Sequence, residues 1–206
     1  MIQTLSFVHR YVPGAVGKAP LLLLHGTGGN EDDLIPLGEA LAPGRALLSP
    51  RGKVLENGMP RFFRRLAEGV FDEADVRARA IELAGFIAEA REAYGLEAPI
   101  ALGFSNGANI TAALLYLKPE ALAGAILLRA MVPLSTAPEA RLDGKRVLIV
   151  SGEMDPILPL ATARKLAENL RQAGATVQLE ILAAGHPLTQ NDLTLASQWL
   201  AKEHAK

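Results

Sequence analysis

Ile100-Ala101-Leu102-Gly103-Phe104-Ser105-Asn106-Gly107-Ala108 sets a short apolar run against a serine that has glycine at both second neighbours. That is the G-x-S-x-G pattern of a nucleophile elbow, in which a strand turns sharply into a helix and holds a serine at the turn. Ile100 to Leu102 is fit for a buried strand and Ala108 to Leu117 reads as a helix, so the context agrees with the motif. The glycines have a physical reason: the turn strains the serine backbone and brings strand and helix close, where a side chain at 103 or 107 would collide. Without that context the same five residues are a tight turn carrying an ordinary serine.

Outward from the elbow, short apolar strands alternate with helical patterns. Thr4 to Tyr11, Leu21 to Leu24 and Ala46 to Ser49 read as strands, with Pro13-Gly14 as a turn and Pro50 closing the third. Ala74 to Tyr94 carries Val76, Ala80, Leu83, Ile87 and Tyr94 on one helical face, with Gly95 as its C-terminal cap. Ala125 to Leu128 and Arg146 to Val150 are further strands. They are followed by a helix over Ala161 to Ala173, a strand over Val177 to Leu182 with one face less buried, and a helix over Asp192 to Lys202 capped by Thr189 or Asn191. Strands interleaved with helices in this way predict an α/β fold: a mostly parallel central sheet, helices on both faces and no separate lid domain. Arg51 to Glu73 shows no clear element. Its Met59, Phe62, Phe63, Leu66 and Phe71 argue for a folded-down flap near the ligand rather than a disordered loop.

With 206 residues, 50% of them hydrophobic, the chain can bury a sizeable core, and one domain over residues 1–206 is expected. Lys and Arg number 21 against 22 Asp and Glu, so no basic field exists to hold nucleic acid or an anionic membrane. The first ten residues do not form a secretion signal and the apolar runs are too short to span a bilayer, which makes a cytoplasmic protein the expectation. The absence of cysteine excludes disulfides, thiolate catalysis and cysteine-held metals.

A serine hydroxyl that keeps its proton is a poor nucleophile and needs a base. Of four histidines, His9 lies in the first strand and His204 in the tail, leaving His25 and His186. The chain order expected of this elbow is Ser, then acid, then His, which selects His186, placed in a loop at the carboxyl end of the strand that ends at Leu182. Between them stand Asp143 and Asp155. Asp143 belongs to the turn Leu142-Asp143-Gly144-Lys145, whereas Asp155 follows the strand Val147 to Ser151 at the sheet edge that carries Ser105. Glu153 is the rival acid, and Asp155 is preferred because Pro156 fixes the chain after it. An oxyanion hole needs two backbone donors. Asn106 supplies one, and Thr27 in the loop His25-Gly26-Thr27-Gly28-Gly29-Asn30 the other, with His25 left as a scaffold residue. Phosphate binding by that loop is disfavoured: Glu31 stands where a dinucleotide fingerprint needs a third glycine, and Glu31-Asp32-Asp33 would repel phosphate.

The Leu24-His25-Gly26 loop, the elbow, Asp155 and Gly185-His186 together resemble the phospholipase/carboxylesterase family of α/β-hydrolases over nearly the whole chain. Gly58 to Asp72 and Leu127 to Pro133 look closer to its small bacterial serine carboxylesterase branch. Arg61-Phe62-Phe63-Arg64 departs from the Trp-Phe-Asp stretch usual in acyl-protein thioesterases. The resemblance implies Ser105, Asp155 and His186 as a triad, Thr27 and Asn106 as the oxyanion hole, and hydrolysis of small to medium acyl esters without metal or organic cofactor. The expected partner is a small-molecule ester, and a homodimer stays open. Phe62, Phe63, Met131 and Leu188 are candidate apolar pocket walls, with core packing as the competing reading. Arg129 at a strand end could attract an anionic group, a structural salt bridge being the stronger expectation. The alternatives are an acyl-thioesterase or lysophospholipase, and more remotely a lyase or perhydrolase, or a non-hydrolytic binding module on the same fold.

Overall fold

The computed structural model describes residues 5–15 and 17–202; Thr4, at the head of the expected first strand, and His204 lie outside them. In chain order the elements are β1 (His9–Val12), β2 (Leu21–Leu24), α1 (Ile35–Leu41), β3 (Leu47–Pro50), β4 (Val54–Glu56), β5 (Met59–Arg61), β6 (Arg65–Ala67) and β7 (Val70–Phe71). They continue with α2 (Glu73–Tyr94), β8 (Ile100–Phe104), α3 (Asn106–Leu117), β9 (Gly124–Leu128), β10 (Arg146–Gly152), α4 (Leu160–Gln172), β11 (Thr176–Leu182) and α5 (Gln190–Ala201).

Seven strands form one sheet in the order β1-β3-β2-β8-β9-β10-β11, parallel throughout except for β1, which pairs antiparallel with β3. The inner strands are buried on both faces, so alternate residues serve two cores. Leu22, Leu24, Ala101, Leu127 and Ile149 pack under α2, α3 and α4. Leu21, Leu23, Leu102, Ile126 and Val150 pack under α1 and α5 with Trp199 and Leu200. The expected α/β architecture with helices on both faces is therefore present. Leu182 to Thr176 forms the outer edge, which explains the half-buried pattern of β11.

Helix ends follow their local chemistry. The Asp72 side chain accepts from Asp75 N–H to start α2, and Gly95 ends it at φ 66°, the left-handed conformation that glycine adopts without strain. At α5 the cap is Thr189, not Asn191; its backbone N–H donates to Asp192 Oδ2 at 2.8 Å.

Three segments differ from the sequence expectation. The first strand is shorter and later, His9–Val12, because Phe7 turns in against Phe86 with ring centroids 5.0 Å apart. Helix α1 carries no regular sequence signal beyond Pro36 in its first turn, and it lies close on the sheet because Gly38 leaves room for Leu23 and Leu47. The 51–73 flap is not featureless but two hairpins, β4–β5 and β6–β7. The first turns at Asn57-Gly58 with φ of 52° and 81°, the Asn-Gly signature of a tight hairpin. Among the described residues, no helix is long and apolar enough to cross a membrane.

Candidate active site

The β8–α3 elbow holds Ser105 at φ 52° and ψ −111°, a conformation L-residues adopt only under constraint. Two backbone bonds impose it: Ser105 N–H donates to Leu128 O at 2.9 Å, and Ser105 O accepts from Asn109 N–H at 3.0 Å. A Cβ on Gly103 would overlap the Gly107 carbonyl, and one on Gly107 would overlap the Leu24 carbonyl of β2. The glycines thus permit the close strand-helix approach that lifts the hydroxyl above the sheet.

The carboxyl ends of β10 and β11 bring two more side chains to that hydroxyl. Asp155 is 9% exposed; its Oδ1 accepts from Ile157 N–H at 2.9 Å and Leu158 N–H at 3.1 Å, while Oδ2 lies 2.8 Å from His186 Nδ1. A carboxylate can only accept, so the imidazole donates from Nδ1 and leaves Nε2 to accept from Ser105 Oγ at 3.1 Å. Ser105, His186 and Asp155 form one continuous hydrogen-bonded chain across 81 and 31 residues of sequence. Glu153 is exposed, and Asp143 is exposed in the turn that precedes β10. Gly152 lets the two loops meet, since a Cβ there would strike the Ala184 carbonyl.

Beside the serine, Asn106 opens α3, so its N–H has no intrahelical acceptor. In the His25–Asn30 loop, Gly28 N–H is committed to Pro60 O at 2.9 Å and Gly29 N–H to Gly26 O at 3.1 Å, which leaves Thr27 N–H without a partner among the described residues. The end of β5 and the residue that follows it brace both groups. Arg61 Nη1 donates to Thr27 Oγ1 at 2.7 Å, and Phe62 N–H donates to Asn106 Oδ1 at 2.7 Å. His25 is 1% exposed, with Nδ1 on Gly26 O at 2.7 Å and Nε2 accepting from Gly52 N–H at 3.0 Å. Burial pushes its pKa below the ordinary histidine value, against the opposing pull of Gly26 O, Asp33 and Glu31. It is a neutral scaffold group.

A depression of about 390 Å³ adjoins the site, lined by His25 to Gly29, Asp33, Leu34, Phe104 and Leu188. Leu188 is therefore where a pocket wall was expected. Met131 is half-buried, tied through its N–H to Asn109 Oδ1 at 2.9 Å. Phe62 and Phe63 are core residues instead: Phe63 is fully buried against Phe71, and Phe62 packs on the His25 ring. They hold the flap down and offer no surface to an open cleft. A larger cavity of about 560 Å³ lies near the far end of α3, around Tyr116 and Asn169, and none of the groups above lines it. Arg129, at 1% exposure, is paired with Asp192 and has no access to solvent or substrate. The contacts of Arg61 with Thr27 and of Asp192 with Arg129 carried no sequence signal, because each joins residues far apart along the chain.

Among known proteins, the sequence profile of the phospholipase/carboxylesterase family matches residues 13–204. A protein of Bacillus subtilis (strain 168) named as the hydrolase MhqD is 47% identical over 193 residues, covering 93% of this chain and 96% of its own. The Bacillus cereus carboxylesterase structure is similar with a TM-score of 0.93 at 46% identity, over 96% of this chain and 94% of that one. A carboxylesterase from Mesorhizobium loti has a TM-score of 0.91 at 32% identity, over 97% of each chain.

Proposed function

Since the chain belongs to the phospholipase/carboxylesterase family of α/β-hydrolases, we propose that it is a serine carboxylesterase acting on small to medium acyl esters. The observation that carries this reading is the unbroken chain from Ser105 Oγ to His186 at 3.1 Å and from His186 to Asp155 at 2.8 Å. His186 Nε2 takes the proton as Ser105 Oγ attacks the ester carbonyl, and the imidazolium formed is stabilised by the Asp155 carboxylate. The N–H groups of Asn106 and Thr27 receive the charge that develops on the carbonyl oxygen. The imidazolium then protonates the leaving alcohol. Water, deprotonated by the same imidazole, attacks the acyl-enzyme; as the acyl–oxygen bond breaks the imidazolium returns the proton to Ser105 Oγ, and the acid is released. Apart from the ester and water, these steps draw on groups of the chain and call on no metal or organic cofactor.

The departure at Arg61-Phe62-Phe63-Arg64, where Arg61 is spent on bracing Thr27, sets the site apart from the thioesterase pattern and supports an ester over a thioester. Turnover of p-nitrophenyl butyrate is accordingly expected to exceed that of an acyl-thioester or a lysolipid. A fluorophosphonate should label the protein at Ser105, and Ser105→Ala should lose at least about 10³-fold in kcat. Undiminished turnover in that variant sinks the mechanism.

A further inference from the structure

Two structurally expensive features meet next to the loop that carries His186. Arg129 is one of three non-glycine residues at positive φ among the described residues, at 58°, and its guanidinium and the Asp192 carboxylate form an ion pair with both side chains 0% exposed. A left-handed arginine and a dry ion pair each work against stability, so neither is explained by folding alone.

All five N–H donors of the guanidinium are engaged. Nε donates to Gly185 O at 2.9 Å and Nη2 to Pro187 O at 3.3 Å, the carbonyls on either side of His186. Nη1 donates to Val150 O at 3.3 Å, and the two Nη atoms reach Asp192 Oδ1 at 2.6 Å and Oδ2 at 3.0 Å. Asp192 Oδ2 also accepts from the N–H and the hydroxyl of Thr189, each at 2.8 Å. The loop is thus gripped at Gly185, Pro187 and Thr189, at every second residue around the histidine, by one pair anchored to β9, β10 and α5. The positive φ of Arg129 occurs where the chain leaves β9, and its own N–H is fixed to Val150 O at 2.9 Å.

We propose that Arg129, locked by Asp192, is the positioning residue that sets the backbone of the 185–189 loop and thereby the reach of His186 Nε2 to Ser105. This rests on the reading of His186 as the base. A displacement of the imidazole on the order of 1 Å costs about 10²-fold in rate.

Arg129→Met/Asp192→Asn removes both charges together and leaves an amide oxygen for the Thr189 N–H. Arg129→Lys keeps the charge and loses the fork. In both, kcat for p-nitrophenyl butyrate and the rate of fluorophosphonate labelling should fall together by about 10 to 100-fold, with KM unchanged. Leu166→Ala, a core truncation in α4, supplies the comparison: at an equal or larger drop in thermal midpoint its kcat should be unchanged. The proposal is overturned if the folded Arg129 variants keep wild-type kcat and labelling rate, or if Leu166→Ala loses as much. Loss of Ser105 labelling in the wild type would instead overturn the esterase reading itself.

Discussion

Asn106 does two jobs with one residue. In the proposed mechanism its backbone N–H receives charge from the carbonyl, while its side-chain Oδ1 accepts from Phe62 N–H at 2.7 Å and its Nδ2 is buried without a partner among the described residues. A donor left unpaired in a buried place opposes stability, so the tie to Phe62 is retained despite it. Asn106→Ala orphans the Phe62 N–H and loosens the segment just after β5, the strand whose last residue, Arg61, reaches Thr27. The expected result is a stability loss of about 1 to 3 kcal/mol by urea unfolding, together with a lower kcat at near-constant KM. At this scale the juxtaposition of the candidates Ser105, His186 and Asp155 was legible from motif and chain order, because an elbow and a strand-end loop each announce themselves within a few residues. Phe62 and Phe63 were not, since an aromatic on a flap looks the same in sequence whether it faces a ligand or the core.

The elbow is the element on which the rest depends. Its geometry requires β8, α3 and β2 to approach at Gly103 and Gly107, with Gly107 against the carbonyl of Leu24. Gly107→Ala has no flexible neighbour to displace, since the obstructing atoms are backbone. It should cost about 3 kcal/mol or more in urea unfolding and remove fluorophosphonate labelling in whatever fraction folds. An alanine variant that is as stable and as reactive as wild type would refute the packing role. The helix α2 and its Gly95 cap were legible to within a residue because apolar spacing and a left-handed glycine are local signals. The hairpins of the flap were carried by Asn57-Gly58 and Glu68-Gly69, turns short enough to be passed over among irregular residues. Helix α1, seven residues long, has too little periodicity to stand out.

On the scale of the whole molecule, acid should loosen the framework through His25 before it titrates the carboxylates. His25 is pushed below the ordinary histidine value of 6.5 by burial, so the unfolded chain binds a proton more readily than the folded one. Its contribution is intact above pH 6.5 and is lost as pH falls through and below that value, when protonation also removes the Nε2 acceptor of Gly52 N–H. Glu31, lowered from 4.5 by Arg51, and Glu82, where burial is outweighed by Lys53 and Arg79 together so that it too falls below 4.5, act the same way only in stronger acid. Between about pH 7.5 and pH 5.5 the denaturation midpoint of the wild type should drop, while His25→Gln, whose amide oxygen replaces the acceptor, should change less. Equal slopes would rule out this assignment. The parallel α/β framework, the elbow and the choice of candidate nucleophile, acid and base were determined by sequence alone, because apolar runs, glycine spacing and chain order are written locally. Only the tertiary structure decided what holds those groups in place: Arg129 to Asp192 across 63 residues, Phe62 to Asn106 across 44 and Gly52 to His25 across 27. Such partners are chosen by which strand ends meet at one edge of the sheet, and a polar residue carries no local mark of the distant group it will find there.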